Sequence, residues 1–192
     1  VTAIKTSNGQ LSFDYLAGSL PFPSDSAARV FENPQKQYEA LHVIPFTKEM
    51  NQELLGIAGL SMDKQYELYI DGGSVGDWTG LEFDKGVNLA IVSSTPQYKQ
   101  AKQIAELNLQ YRDYEQKLRA YYWLQFNYFK KHNMLFQDDQ AAMDSAAISQ
   151  DWGVASKKDN YAEARKKEVR AQWVKSMQEI ADRIYKINKP VG

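Results

Sequence analysis

Two histidines, His42 and His132, are the only side chains here whose unperturbed charge changes near neutral pH. Nucleophilic hydrolysis needs a serine or cysteine, a base, and usually a carboxylate that orients the base. The chain has no cysteine, which excludes thiol catalysis, disulfides and cysteine-ligated zinc. No serine lies in a Gly-x-Ser-x-Gly elbow or a Gly-Asp-Ser-Leu block. His42 falls in Leu41-His42-Val43-Ile44, which reads as a strand. His132 follows Lys130-Lys131 at a helix end and reads as a surface cation answering the helix dipole. Neither has a nucleophile and a carboxylate in sequence context. The chain therefore reads as carrying no catalytic residue and no cofactor of its own, as the non-catalytic part of something larger.

Metal chemistry finds no better footing. Two separated histidines make neither an HExxH pair nor a facial triad. Asp138-Asp139 and Asp144 read as a solvated loop, with a cation site as the lesser alternative. The glycines of Asp71-Gly72-Gly73-Ser74-Val75-Gly76 open no helix, so this segment reads as a hairpin turn and not a phosphate cradle.

The best interaction candidates are aromatic: Tyr121, Tyr122, Trp123, Phe126, Tyr128 and Phe129. One helix face cannot hold all six rings. The surplus must meet the strand-rich half, the last helix, or a partner such as another domain or a second copy of the chain. Stacking on sugar rings, with Trp78, Trp123 or Trp152 as platforms, is a further alternative. Lys157-Lys158, Arg165-Lys166-Lys167 and Arg170 alternate with Asp159, Glu163 and Glu168 and read as a solvated helix face.

The elements that must position these residues change character at Pro96. Nine of the 11 glycines precede it and, counting Pro96 itself, five of the six prolines lie in that half. Leu11–Tyr15 alternates as a strand does, and Leu20-Pro21-Phe22-Pro23 is extended, because each proline disfavours helix in the residue before it. Asn51–Leu60 reads as a strand running into a turn at Gly59. Tyr66, Leu68 and Ile70 share one face of the next strand. Asp71-Gly72-Gly73 supplies positive φ for a tight turn, and Ser74–Trp78 returns. Thr79-Gly80-Leu81-Glu82 fits a capping box opening one turn of helix, which Gly86 ends. Val87–Ile91 reads as a further strand.

After Pro96 the apolar period becomes helical. Ile104, Leu107, Tyr111, Tyr114, Leu118, Tyr121, Gln125 and Phe129 recur at steps of three and four, predicting one long helix to about Asn133. Gln137–Ser149 predicts a shorter helix. A last one is predicted over Tyr161–Asn188, capped by Asn160 and Glu163, striped by Val169, Trp173, Met177, Ile180, Ile184 and Ile187, and stopped by Pro190. The fold class is thus α+β: a small antiparallel sheet or sandwich over 1–95, then a long-helix hairpin over 96–192.

Composition bounds the rest. The 192 residues are 43% hydrophobic and 24% charged, enough to bury a core without metal or disulfide staples. A net charge of −1 argues against a dedicated nucleic-acid partner. No apolar run is long enough for a membrane span. The chain opens Val1-Thr2-Ala3-Ile4-Lys5 with no initiator methionine, so a removed leader or a longer parent chain is expected.

Several segments together resemble a known family: Leu20-Pro21-Phe22-Pro23, Val43-Ile44-Pro45-Phe46-Thr47, Asn51-Gln52-Glu53-Leu54-Leu55, Gly59-Leu60, Tyr66–Gly72 with Val75-Gly76, Gly86-Val87-Asn88-Leu89-Ala90 and Thr95-Pro96. The stretch from Leu20 to Asn108 resembles the region that follows the catalytic domain in secreted bacterial GDSL-type (SGNH) lipases and acylhydrolases. In that family the nucleophilic serine and an Asp-x-x-His pair lie in the preceding domain. The resemblance therefore implies a parent ester hydrolase, extracytoplasmic, acting on carbohydrate esters. It implies a missing N-terminal hydrolase domain as the partner, and it places no catalytic residue on any position here. The alternative reading is a stand-alone carbohydrate- or protein-binding module.

Overall fold

The computed structural model describes residues 1–24 and 37–189. The fold is α+β and divides into two compact units. One comprises Val1–Ala105 with the chain end from Lys186, the other Glu106–Tyr185. The division falls inside the long helix that begins at Pro96.

In the first unit, β1 (Thr2–Ser7) and β2 (Gln10–Asp14) form an antiparallel hairpin. Its turn is Asn8-Gly9, with φ of 49° and 76°. Two positive φ values in succession define the turn that matches strand twist, and Asn-Gly tolerates them best. The strand read at Asn51–Leu60 shrinks to β3 (Leu54–Leu55), which pairs with β6 (Val87–Asn88). β4 (Gln65–Ile70) and β5 (Gly73–Thr79) make the second hairpin. Its turn residues are Asp71 at φ 50° and Gly72 at 77°, while Gly73 is already the first residue of β5.

The small antiparallel β-structure expected for this half is present, divided among three two-stranded sheets in the described residues. A short helix explains part of that division. α2 (Gly80–Lys85) starts in the capping box read from Thr79 and Glu82: the Thr79 side chain accepts from the Glu82 amide, and Glu82 accepts from the Thr79 amide at 2.7 Å. Phe83 of α2 is buried with Val87 and Leu89, and Tyr66, Leu68, Ile70 and Trp78 pack against them. Gly80 is needed there, since a Cβ would sit 2.3 Å from the Ser61 carbonyl oxygen.

Two strand readings are corrected. Val87–Ile91 splits after Asn88, whose side chain accepts from the Ala90 amide and turns Leu89–Ile91 into a 3-10 helix. His42 closes a 3-10 helix, Gln37–His42, followed by α1 (Phe46–Glu49).

α3 runs over Pro96–Asn127. It ends before the expected Asn133 because a 3-10 turn, Phe129–His132, intervenes, with Asn133 in the left-handed conformation as its cap. α4 (Gln140–Ile148) is capped by Asp139, and α5 (Trp152–Ala155) by Asp151. The predicted final helix is two. α6 (Lys158–Ala164) and α7 (Lys167–Ile187) break at Arg165-Lys166, and Asn160 lies inside α6 instead of capping it. Along α7, Trp173 and Ile180 are buried, and Val169, Met177, Ile184 and Ile187 are half-buried, as the period predicts. Pro190, read as its stop, lies outside the described residues.

Candidate functional site

Polar side chains converge most densely in the second unit, at Asp138. This residue has a φ of 53° in the loop between Asn133 and α4, a conformation that short polar residues tolerate better than most. Its carboxylate is surrounded by donors. Oδ2 accepts from the Tyr121 hydroxyl at 2.7 Å and from Arg170 Nη1 at 3.2 Å. Oδ1 accepts from Gln125 Nε2 at 2.9 Å and from the Tyr161 hydroxyl at 3.3 Å. The backbone oxygen of Asp138 accepts from Arg165. Gln125 then spends its own oxygen on the Phe136 amide at 2.7 Å.

Asp138 therefore corrects the reading of Asp138-Asp139 and Asp144 as one solvated loop. Asp138 is largely covered, Asp139 caps α4, and Asp144 accepts from Gln140. The basic run is corrected in the same way. Arg165 and Arg170 turn toward Asp138, and the Arg170 guanidinium lies 4.3 Å from the centre of the Tyr121 ring.

The chemistry open to this cluster follows from counting lone pairs. A carboxylate offers about four acceptor positions. Four donors fill them, which leaves none for a metal ion or a substrate proton. Burial, reinforced by Asp138, pushes the Tyr121 and Tyr161 hydroxyls well above the ordinary tyrosine range. Both stay protonated and remain donors. The cluster is a closed polar core that ties α3, α6, α7 and the loop before α4 together. Around it Leu124, Phe129, Ala142, Ala146, Val154 and Ala164 make the apolar core.

The six aromatic candidates separate. Tyr121 and Phe129 are buried. Tyr128 is half-buried, and its hydroxyl donates to the Ser145 carbonyl. Trp123 is half-buried against Gly153, where a Cβ would come within 2.6 Å of its ring, with Lys157 Nζ 4.4 Å from its centre. Tyr122 is 48% exposed and Phe126 52%. These two, with Glu115, Leu118, Arg119 and Trp123, line a shallow open groove on α3. Of the three tryptophans considered as sugar platforms, Trp152 is 81% exposed, while Trp78 and Trp123 are half-buried.

His132 is exposed, packs tilted against Tyr128 with ring centres 4.3 Å apart, and places Nδ1 2.9 Å from the Tyr128 carbonyl. The Tyr128 hydroxyl in turn lies 2.9 Å from Ser145 Oγ. Among the described residues no three His, Asp or Glu side chains gather to hold a metal ion, and no helix is long and apolar enough to cross a membrane.

A second convergence, in the first unit, is built from the segments that carry the family resemblance. The Asn51 side chain accepts from the Phe22 amide at 2.9 Å and donates to the Phe22 carbonyl at 3.0 Å. Asn88 Oδ1 accepts from the Glu53 amide, and Asn88 Nδ2 donates to the Asn51 carbonyl. The Leu89 amide closes the ring onto the Glu53 carbonyl. Two asparagines thus replace ladder hydrogen bonds across three distant segments, and the extended Leu20–Pro23 stretch is pinned by its backbone.

Two comparisons bear on this arrangement. Residues 102–189 match the family model described as the diltiazem deacetylase C-terminal helical domain. That match begins inside α3 and runs through α7, so it includes the Asp138 cluster. Nearly the whole chain also superposes on a solved structure, a gut microbial diltiazem-metabolizing enzyme. The TM-score is 0.87 at 38% sequence identity, over 99% of this chain and 43% of that one. The chain spans less than half the length of that protein. No curated protein matches it.

Proposed function

We propose that this chain is the C-terminal, non-catalytic region of a larger ester hydrolase, with the hydrolase domain preceding it in the parent. The observation that carries the reading is the likeness over 99% of this chain to only 43% of a diltiazem-metabolizing enzyme. The saturated Asp138 carboxylate fits a structural role. The parent would cleave small acetyl esters, as the name of the matching deacetylase domain suggests. The finer reading is a GDSL-type catalytic domain and an extracytoplasmic location. It draws on the motif segments, three of which, around Phe22, Asn51 and Asn88, meet in the pinned knot of the first unit.

A serine-directed fluorophosphonate probe tests this on the full-length parent. Acetyl-ester hydrolysis should be lost on labelling, and the label should map outside Val1–Gly192. The His42→Ala and His132→Ala variants should turn over normally. A label inside these residues, or activity abolished by either histidine variant, would overturn the proposal.

A further inference from the structure

The β1–β2 hairpin presents an amphipathic sheet whose apolar side is largely open among the described residues, with only Phe13 half-buried. Its register pairs Lys5 with Ser12 and Thr6 with Leu11. Alternation along each strand then puts Ile4, Thr6, Leu11 and Phe13 on one face and Lys5, Ser7, Gln10, Ser12 and Asp14 on the other. The second set is polar throughout and suits water. The first is not, yet Ile4 is 67% exposed and Leu11 40%. A lone two-stranded hairpin is marginal in water without cover on one face.

The root of this hairpin is fixed. Ala17 is buried, the Tyr15 side chain lies beside Glu53, and the Phe22 backbone is held by Asn51. The apolar face is therefore held at a set place on the first unit.

We infer that this face is the docking surface for the hydrolase domain of the same polypeptide, an inference that rests on the function proposed above. Two arguments select that occupant. The structurally similar enzyme carries this fold within a chain of which it forms 43%, so a larger body is attached to it there. The face is also small. Stable association of separate copies needs about 800 Å² on each partner, far more than four side chains on a short hairpin provide. A covalently attached domain docks at high effective concentration, and a small apolar contact then suffices.

The experiment is hydrogen–deuterium exchange on the full-length parent and on two variants, Leu11→Asp on the apolar face and Ser12→Asp on the polar face. Peptides from β4–β5 serve as the control for folding. In the unaltered protein the β1–β2 amides should exchange at least tenfold more slowly than an unstructured peptide. Leu11→Asp should remove that protection and raise exchange in a matching patch of the hydrolase domain. Ser12→Asp should leave both unchanged. Three results would overturn the inference: unprotected hairpin amides in the unaltered protein, equal effects of the two variants, or protection that disappears on dilution and so marks a second copy as the occupant. Ester hydrolysis by the same preparation reads the parent function separately. Full activity with an unprotected hairpin sinks only the docking surface, whereas a parent without a hydrolase domain sinks both.

Discussion

The two tight hairpins of the first unit share a turn code and differ in everything above it. Asn8-Gly9 and Asp71-Gly72 have nearly the same pair of positive φ values, and both sets of strands alternate apolar with polar residues. β4 then lays Tyr66, Leu68 and Ile70 against Phe83, Val87 and Leu89, whereas β1 has no covered residue at all. Turn chemistry decides that a hairpin forms. Cover decides what it contributes to stability.

The largest test of that contrast is truncation on the two apolar faces. Phe83→Ala removes a fully buried ring and should cost roughly 3–5 kcal/mol. Leu11→Ala in this chain, without further domains, should stay within about 0.5 kcal/mol, as exposed positions do. Urea unfolding followed by tryptophan fluorescence measures both. Comparable losses would erase the distinction between a covered and an uncovered hairpin.

A smaller effect is expected at the turns. Valine at Gly72 meets a φ of 77°, which a β-branched residue adopts only under strain, and should cost about 1 kcal/mol or more of global stability. Gly9 has the same conformation, but Gly9→Val should leave the unfolding midpoint unchanged and only speed amide exchange at Lys5 and Leu11. A midpoint shift of equal size at both glycines would mean that the first hairpin already contributes to the cooperative fold.

What was legible in the sequence follows the same division between local code and tertiary cover. The β4–β5 hairpin, the Thr79–Glu82 box, the start of α3 at Pro96 and the α7 stripe are all written in neighbouring residues. Asn8-Gly9 is written in neighbouring residues too, as the same pair of turn residue types as Asp71-Gly72. Other features have no local signature. Asp138 lies 13 residues from Gln125 and 32 from Arg170, and no spacing announces that four donors will meet on it. Asn88 breaks the strand read through Val87–Ile91 because its side chain serves Glu53, 35 residues away. The aromatic run shows the limit from the other side. The sequence says that one helix face cannot bury six rings, but only the fold says that Tyr121 and Phe129 go inward while Tyr122 and Phe126 stay out.

The smallest expected effect concerns the root of the first hairpin, where pH enters. Burial raises the Glu53 carboxyl above the ordinary glutamate value, and the neighbouring Tyr15 hydroxyl only partly opposes it. One of its oxygens is buried without a donor. The neutral acid is thus the form that suits the fold. The stabilisation is complete below the ordinary glutamate value and is lost as pH rises through the elevated folded value. Tyr15 follows the same sign at the other end of the scale. Burial and Glu53 push its hydroxyl up to about 12, so its contribution persists below the ordinary tyrosine range and fades as pH rises through that value. Glu53→Gln keeps the shape and removes the charge. Its melting temperature should vary less between mildly acidic and neutral pH than that of the unaltered chain, and the β2 amides should exchange no faster at pH 7. A variant with an unchanged pH slope would show that Glu53 ionises without cost. The hairpin would then be free at its base as well as on its face, and the held apolar surface would lose one of its three anchors.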